Sequence, residues 1–289
     1  ESVLAEYRRR QRNWREARRK LAGIKKANAK TQDGTPIELV ANIELPQDIE
    51  DVQESGAVGI GLFRSEFLFL GRDTLPSEDE QFEAYRTVAA GMNGLPVTIR
   101  TMDLGADKNP KWSIHGVSDN PVLGLCGMRL CLAEPQLFRT QLRAILRASA
   151  YGQIKLLLPM LSQIAEVRAT QRHIAEVKAQ LREEGVPFDN FIELGGMVET
   201  PAAAVSVAKF LSHLDYISIG TNDLIQYTMA ADRNNPKVSR YYDPYQPAVL
   251  HSIKRVVDTA TAAGKPVSIC GEMAADPINA VLLFGVGIR

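Results

Sequence analysis

Apolar runs and amphipathic segments alternate along most of this chain. After Gly34, short runs of β-branched and other apolar residues are separated by longer segments in which apolar residues recur at helical spacing. The runs are nearly continuous, which is typical of strands covered on both faces of a parallel sheet. Seven strands are predicted, at Ile37–Ile43, Val58–Leu62, Val97–Met102, Ile154–Leu158, Phe191–Val198, Tyr216–Ile219 and Val267–Ile269.

Helices are predicted between and after these strands, and two of them begin with clear signals. Thr200 is a good N-cap followed by proline at the first helical position, and Ser77 with Glu80 resembles a capping box. The predicted helices are Pro46–Gly56, Ser77–Met92, Pro135–Ala150, Ser162–Glu184, Pro201–Ser212, Pro247–Ala263 and Asp276–Leu283.

The regular alternation of strand and helix predicts the α/β class. We expect a (β/α)8 TIM-type barrel in which seven βα units are visible and the eighth is missing from this chain. An open Rossmann-like sheet is the alternative. Its phosphate-binding fingerprint is weak here, because Gly59-Ile60-Gly61 falls inside a strand and no GxxxxGK[ST] loop occurs. The barrel is therefore preferred.

The first thirty residues differ in charge from the rest of the chain. They carry 11 Lys/Arg against 3 Asp/Glu, whereas the whole chain of 289 residues has a formal net charge of zero. Leu4, Tyr7, Trp14 and Leu21 recur at near-helical spacing, which indicates an amphipathic helix with a solvated basic face rather than a nucleic-acid-binding or membrane-binding surface. We expect residues 1–33 to form a basic linker helix and residues 34–289 to form the barrel.

Composition indicates where the protein is located and which kinds of site are absent. With 45% hydrophobic and 24% charged residues and no apolar run of the roughly 20 residues that span a bilayer, the chain is expected to be cytoplasmic, without membrane or nucleic-acid partners. Its three cysteines show no CxxC spacing, which argues against a disulfide framework or a thiolate metal site. Because it begins with Glu1 rather than Met, we expect it to be part of a longer product.

Two arginines stand at the carboxyl ends of neighbouring predicted strands, the end of a barrel that carries the active site. Arg64 follows the second strand and Arg100 lies near the end of the third. A guanidinium emerging from an apolar strand is costly to desolvate without an anion, and its planar fork fits phosphate or carboxylate. The alternative is that Arg64 pairs with Glu66 and Arg100 with Asp103 as ion pairs on the rim.

Two carboxylates follow the fifth and sixth strands and predict a metal site. Glu199 and Asp223 would repel each other unless a proton or a cation lies between them. Because the available ligands are hard oxygens, Mg²⁺ or Mn²⁺ fits better than zinc. Alternatively each carboxylate caps a helix. Gly220 provides a flexible turn whose backbone N–H groups could hold phosphate oxygens.

Cys270 ends the last predicted strand, and this location favours a role as proton donor or acceptor over that of an inert apolar residue. Cys126 and Cys131, in the long segment after the third strand, are expected to be inert. None of the histidines is flanked by the glycines and hydroxyls that expose a phosphate-carrying nucleophile, so all are interpreted as structural or solvated: His115, His173, His213 and His251.

Together these stretches resemble the C-terminal domain of enzyme I, the phosphoenolpyruvate–protein phosphotransferase of the bacterial sugar phosphotransferase system. The resemblance spans nearly the whole chain. The segments that carry it, in chain order, are Gly61–Leu68, Ile99–Asp103, Gln141–Ser149, Met197–Ala203, Ser218–Leu224 and Cys270–Glu272.

The resemblance implies a role for each candidate residue. Phosphoenolpyruvate (PEP) would be bound through its phosphate and carboxylate by Arg64, Arg100 and Arg233, assisted by Asn222 and Asp223. Mg²⁺ would be held by Glu199 and Asp223. Cys270 would deliver a proton to C3 of the enolate that remains once the phosphoryl group has left.

The implied function is the donor half of a phosphoryl transfer. PEP would phosphorylate a histidine on an N-terminal domain absent here, and through it a histidine-containing phosphocarrier protein, releasing pyruvate. A homodimer is also implied. The corresponding domain of pyruvate phosphate dikinase or PEP synthase and a non-catalytic PEP-sensing and dimerisation module remain alternatives. The sequence departs from the pattern at Cys126, where the resemblance leads us to expect arginine.

Overall fold

A parallel sheet surrounded by helices forms the body of the computed structural model, which describes residues 2–22, 27, 29–104 and 120–289. In this part of the chain the sheet has seven strands, and each pairs in parallel with the strand that follows it in sequence. They are β1 (Ala41–Ile43), β2 (Ile60–Arg64), β3 (Val97–Arg100), β4 (Ile154–Leu158), β5 (Glu193–Val198), β6 (Tyr216–Ile219) and β7 (Val267–Ile269).

Helices follow the strands in alternation. They are α1 (Ser2–Ala22), α2 (Ile49–Ser55), α3 (Glu78–Gly91), α4 (Met128–Ala133), α5 (Pro135–Ala148), α6 (Ile164–Glu183), α7 (Pro201–Val205), α8 (Val207–Leu211), α9 (Thr221–Met229), α10 (Pro247–Ala262) and α11 (Pro277–Val286). None of those described combines the length and apolar character required to cross a membrane.

The sheet curls into a partial barrel, because its first and last strands approach each other at their carboxyl ends. The side-chain amide of Asn42 in β1 donates a hydrogen bond to the main-chain carbonyl of Cys270, just beyond β7, over 2.9 Å. The prediction of a TIM-type barrel with seven visible βα units is confirmed, and the Rossmann-like alternative is wrong.

Both predicted helix starts are confirmed in detail. Ser77 Oγ accepts a hydrogen bond from the Glu80 N–H at 3.2 Å, and Glu80 Oε2 accepts one from the Ser77 N–H at 2.8 Å, so two otherwise unpaired donors are satisfied. At α7, Thr200 Oγ1 accepts from the Ala203 N–H at 3.1 Å. Glu199 therefore does not cap this helix, contrary to one alternative.

Several predicted boundaries were wrong. Helices α4 and α9 were not predicted, β1 is shorter than Ile37–Ile43, and the predicted helix Pro201–Ser212 is two helices. The break lies at Ser206, whose φ of −99° and ψ of 12° interrupt the helical hydrogen bonding. The most important omission is α9, because its polar opening residues were interpreted as a turn at Gly220, which is instead the helix N-cap.

The interior of the barrel is filled beneath the carboxyl end of the sheet. Leu62, Leu157, Met197 and Tyr216 form one buried cluster inside the strands, and each such buried side chain contributes about 1.5–3 kcal/mol to stability. Tyr216 needs a glycine beside it, because a Cβ at Gly195 would lie 2.2 Å from its ring. These four side chains therefore form a packed floor in the described part of the barrel.

Three apolar side chains of helix α1 are exposed in this structure. Leu4, Tyr7 and Trp14 are each more than half exposed, and an ion pair of 2.6 Å joins Arg10 to Glu6 one turn away. The helix is described as far as Ala22, and residues 1, 23–26 and 28 lie outside the described part of the chain. The division into a linker helix at 1–33 and a barrel at 34–289 stays a prediction.

Candidate active site

A cavity of about 350 Å³ opens at the carboxyl ends of the strands, above the packed floor. Residues from β1, β2, β3, β5 and α9 and from the segments after β3, β5, β6, α9 and β7 line it. The structure brings together in this cavity all the residues that the sequence suggested for substrate, metal and proton transfer: Arg64, Arg100, Glu199, Asn222, Asp223, Arg233 and Cys270.

Glu66 links the two arginines of the neighbouring strands. Its carboxylate is fully buried, and Oε1 accepts a hydrogen bond of 3.2 Å from Arg64 Nε and a shorter one from Arg100 Nη2. Each arginine also has a second acidic partner, with Arg64 Nη1 2.7 Å from Glu44 Oε1 and Arg100 Nη1 3.0 Å from Asp103 Oδ2.

These contacts decide between the two interpretations of the arginines. The pairs of Arg64 with Glu66 and of Arg100 with Asp103 exist, but the interpretation of them as rim ion pairs is wrong, because Glu66 is 0% and the Arg100 side chain 7% exposed. Burial alone would lower the pKa of Arg100, and the charges of Glu66 and Asp103 more than reverse this, so the pKa is raised. Arg100 is therefore a permanent buried cation beside the cavity.

A buried polar network holds the ends of β2 and β3 in place. Ser65 Oγ donates to the Arg100 carbonyl at 2.6 Å, and Gln141 Nε2 donates to Ser65 Oγ at 3.0 Å. On the other side of the same amide, Gln141 Oε1 accepts from the Met102 N–H at 2.9 Å. Since buried hydrogen bonds of this kind are costly to break, the main chain that carries both arginines is fixed.

Glu199 is a buried carboxylate immediately after β5. It is 1% exposed, and its Oε1 accepts a hydrogen bond from the Met160 N–H. Burial raises the pKa of Glu199 well above its ordinary value, and the nearby carboxylates of Asp223 and Asp103 raise it further. The close fit extends to Gly220, where a Cβ would lie 2.8 Å from Glu199 Oε2.

The first turn of α9 carries Asn222 and Asp223 into the cavity. Asn222 Oδ1 accepts a hydrogen bond of 3.0 Å from the Glu272 N–H, and Asp223 Oδ1 lies 3.4 Å from Arg233 Nη1. The approach of the segment after β7 requires Gly271, because a Cβ there would lie 1.9 Å from Thr221 Oγ1. The helix start and the end of β7 therefore hold each other in place.

Cys270 lines the same cavity as Arg100, Glu199 and Asn222. Its main-chain N–H donates to the Ile219 carbonyl at 3.2 Å, which continues the pairing of β6 with β7 by one residue. Burial raises the pKa of the Cys270 thiol to about 11, with a contribution from Glu199 and a partial offset from the Ser218 hydroxyl. At neutral pH the sulfur therefore carries a proton that it can give up.

Glu199 and Asp223 are two neighbouring carboxylates, and a hard cation between them would offset their mutual repulsion. Among the described residues no group of three or more His, Cys, Asp or Glu side chains is spaced to hold a metal ion by itself. Mg²⁺, however, commonly takes one or two carboxylates from the protein and the remaining ligands from substrate phosphate and water. Glu199 and Asp223 fit this pattern.

The other cysteines and histidines lie apart from this chemistry. Cys126 and Cys131 are both buried free thiols, and neither is among the cavity-lining residues described above. His173 accepts a hydrogen bond of 3.2 Å from Arg139 Nε between α5 and α6, and His251 is exposed on α10. His115 lies outside the described residues.

Comparison with known proteins identifies the family. A protein-family profile described as "PEP-utilising enzyme, PEP-binding domain" matches residues 18–289. The chain belongs to this family. The resemblance carried by the motifs is thereby confirmed for this PEP-binding domain.

Relatives of the domain agree with this assignment. The "Phosphoenolpyruvate-protein phosphotransferase" of Cupriavidus necator is 49% identical over 290 residues, which cover 99% of this chain and 50% of that protein. The protein of the same name from Staphylococcus carnosus is 45% identical over 288 residues, covering 100% of this chain and 50% of that protein. The domain thus spans about half the length of these relatives.

A solved structure supports the fold alone. A HpcH/HpaI aldolase/citrate lyase family protein from Burkholderia cenocepacia J2315 superposes with a TM-score of 0.51 at 14% identity, covering 87% of this chain and 86% of that chain. At this level of identity the likeness concerns the arrangement of strands and helices.

Sequence reasoning missed several residues of the PEP-binding domain that hold the site together. The sequence indicates Glu66 only as a surface partner of Arg64, and it does not indicate that Glu44 or Asn42 belongs to the site. Gln226, on the unpredicted helix α9, was also missed. The sequence contains a signal for Glu66, since a carboxylate two residues after an arginine that ends an apolar run is a natural partner. For Asn42 and Gln226 the contacts depend on how distant elements meet.

Proposed function

We propose that this domain binds PEP together with Mg²⁺ and serves as the donor half of a phosphoryl transfer to a histidine on a separate N-terminal domain, releasing pyruvate. The observation that carries the proposal is a single cavity in which three arginines, two carboxylates and a protonated thiol meet. PEP presents a phosphate and a carboxylate that match the arginines and a methylene carbon that must gain a proton from the thiol, and Mg²⁺ would bind the carboxylates of Glu199 and Asp223.

The arginines bind and orient the anion. Arg64, Arg100 and Arg233 would contact the phosphate and carboxylate of PEP, with Asn222 contributing its amide. The charges of Arg64 and Arg100 are already balanced by Glu44, Glu66 and Asp103, so the guanidinium groups are held in position before a ligand arrives. Preorganised cations of this kind stabilise charge that develops as the phosphoryl group leaves.

Glu199 and Asp223 are the residues that would hold the metal. When bound, Mg²⁺ supplies positive charge next to the phosphate and the enolate oxygen. Burial and the nearby carboxylates of Asp223 and Asp103 raise the pKa of Glu199, which disfavours its charged form. A divalent ion would therefore also remove an electrostatic penalty of the site.

Cys270 completes the reaction. As the bond between the phosphorus and the enol oxygen breaks and the phosphoryl group passes to the histidine, an enolate remains with excess electron density at C3. The thiol proton of Cys270 would be delivered to C3, giving the methyl group of pyruvate and leaving a thiolate that regains a proton from solvent.

The proposal extends to the context of the domain. The phosphorylated histidine would pass its group to a histidine-containing phosphocarrier protein of a sugar transport system in the cytoplasm, and the domain would act as a homodimer. The names of the curated relatives support this over the corresponding domain of pyruvate phosphate dikinase or PEP synthase. A purely PEP-sensing module would use the same cavity without proton delivery.

Calorimetric titration with PEP tests the binding part of the proposal. We expect saturable binding of one PEP for each chain in the presence of Mg²⁺ and binding weaker by roughly tenfold or more in its absence, because two carboxylates then face the phosphate uncompensated. Equally tight binding without a divalent ion would refute the metal site. Absence of binding under both conditions would leave the domain with a structural role.

Proton exchange tests the role of Cys270. We expect Cys270→Ala to bind PEP as tightly as the parent but to lose exchange of the pyruvate methyl protons with D₂O in the presence of Mg²⁺, by at least about a hundredfold. The exchange is followed by proton NMR. Cys131→Ala, which removes a buried thiol elsewhere, is the matched control and should retain exchange. Undiminished exchange in Cys270→Ala would remove this thiol from the mechanism.

A further inference from the structure

One face of α9 carries more than the two residues already described. Asn222, Asp223 and Gln226 are spaced by three and four residues, so their side chains lie on the same side of the helix. Asn222 and Asp223 line the cavity. Gln226 is 5% exposed and lies one turn deeper, next to the point where α9 ends.

The chain reverses direction sharply after α9, and Gln226 holds both sides of the reversal. Ala230 adopts a left-handed conformation with φ of 50°, and the Ala231 N–H donates to the main-chain carbonyl of Gln226 over 3.1 Å. Two residues later the Arg233 N–H donates to the side-chain Oε1 of the same Gln226, also over 3.1 Å. One residue thus anchors the returning segment through two different oxygens.

This anchor determines where Arg233 stands. The Arg233 side chain is 37% exposed and has an acidic neighbour, Asp223 Oδ1, at 3.4 Å from its Nη1. A long, partly exposed side chain loses much rotamer entropy when it is held in one orientation, so its main chain must be fixed for the contact to persist. The Tyr242 hydroxyl, which donates to the Asn222 carbonyl at 3.0 Å, fixes the later part of the same segment.

We propose that Gln226 is a positioning residue that fixes the main chain of Arg233 and thereby keeps its guanidinium over the cavity. Gln226 acts through Arg233 and does not itself contact the ligand. The consequence for affinity rests on the proposed PEP-binding function. The anchoring itself does not, so the two are tested separately.

The first test uses calorimetric titration of the whole chain with PEP and Mg²⁺. Gln226→Met keeps the length of the side chain but removes the acceptor, and we expect affinity to fall by about tenfold, the effect of losing one buried hydrogen bond. Arg233→Met should weaken binding at least as much. The double variant Gln226→Met/Arg233→Met should bind no more weakly than Arg233→Met alone, because Gln226 acts through Arg233.

The matched control is Gln171→Leu. Gln171 lies on α6, and its side-chain amide donates a hydrogen bond to the His213 carbonyl at 3.0 Å. It should bind PEP within about twofold of the parent. An affinity of Gln226→Met within twofold of the parent would overturn the inference, and so would strictly additive losses in the double variant. Lack of PEP binding by the parent would instead refute the proposed function.

The second test does not depend on PEP. Phenylglyoxal modifies arginine guanidinium groups, and the rate at Arg233 can be followed by peptide mass spectrometry. We expect modification of Arg233 in Gln226→Met to be at least several-fold faster than in the parent and in Gln171→Leu, because the released segment no longer keeps the guanidinium beside Asp223. The rate at Arg10, exposed on α1, provides the internal reference. Equal Arg233 rates in all three proteins would overturn the inference.

Discussion

Replacement of Arg100 by methionine is expected to lower the free energy of unfolding by about 3–5 kcal/mol and to abolish PEP binding. The loss of stability is expected because the substitution takes the Arg100 guanidinium away from the carboxylates of Glu66 and Asp103. Glu66 is fully buried and shares one oxygen between Arg64 and Arg100, and Asp103 also pairs with Arg100 at 3.0 Å. Without the guanidinium, the buried carboxylate of Glu66 loses its shortest partner.

Urea unfolding followed by circular dichroism measures the loss of stability, and calorimetry measures the loss of binding. Arg10→Met is the control, because the ion pair of Arg10 with Glu6 is exposed on α1 and is expected to contribute no more than about 1 kcal/mol. If Arg100→Met unfolded at the same urea concentration as the parent, the buried ion-pair network would not be holding the site. A stable variant that still bound PEP tightly would exclude Arg100 from the substrate site.

Replacement of Glu199 by glutamine is expected to act in opposite directions on metal binding and on stability. Mg²⁺ affinity should fall by roughly a hundredfold or more, because one of the two proposed carboxylate ligands would be lost. In the absence of metal, however, the variant should unfold at a higher temperature than the parent near neutral pH. Glutamine can still accept the hydrogen bond from the Met160 N–H, and it removes a buried charge that faces Asp223 and Asp103.

The raised pKa of Glu199 also determines the direction in which stability changes with pH. The pKa of Glu199 is raised in the folded chain above its value in the unfolded chain, so the folded state binds more protons in between. Stability of the parent should therefore decline as pH rises from the ordinary pKa of a glutamate through the raised value, and Glu199→Gln should lack this decline. In the parent, Mg²⁺ affinity should increase over the same range, because the metal displaces the proton.

Thermal unfolding at several pH values, with and without Mg²⁺, measures both effects. Glu193→Gln is the matched control at the opposite end of the same strand, where the carboxylate is half exposed and pairs with Lys155 at 2.7 Å. It should leave Mg²⁺ binding unchanged. A metal-free Glu199→Gln protein that was less stable than the parent would contradict the assigned electrostatic penalty.

The strands and the location of the cavity could be predicted from sequence because both follow from simple rules. The run Ile154–Leu158, apolar apart from Lys155, matches β4 residue for residue, since a strand covered on both faces is built mainly from apolar side chains. Parallel strands then bring their carboxyl ends to one edge. Glu199, Cys270 and Arg100 are close in space for that reason alone.

What could not be predicted depends on contacts between distant parts of the chain. Helix α9 opens with Thr221 and two further polar residues and lacks a side-chain N-cap, so local signals favour a turn; tertiary contacts of Leu224 and Ile225, both buried, decide for a helix. The burial of Glu66 could not be predicted either, because it requires β2 and β3 to present both arginines to the same carboxylate. Periodicity contains no information about such shared partners.

The location of Cys270 beyond an edge strand, where a hydrogen bond from Asn42 to its carbonyl is the contact with β1 described above, has a consequence for the timing of the proposed reaction. Arg64 and Arg100 stand on strands with neighbours on both sides, and Ser65 and Gln141 hold the main chain there, whereas Cys270 extends β7, an edge of the described sheet. Edges open locally at lower free energy than interior strands. Under the proposed function, local opening of this edge would displace the proposed proton donor Cys270 and delay protonation of the enolate, while Arg64 and Arg100 stayed in place.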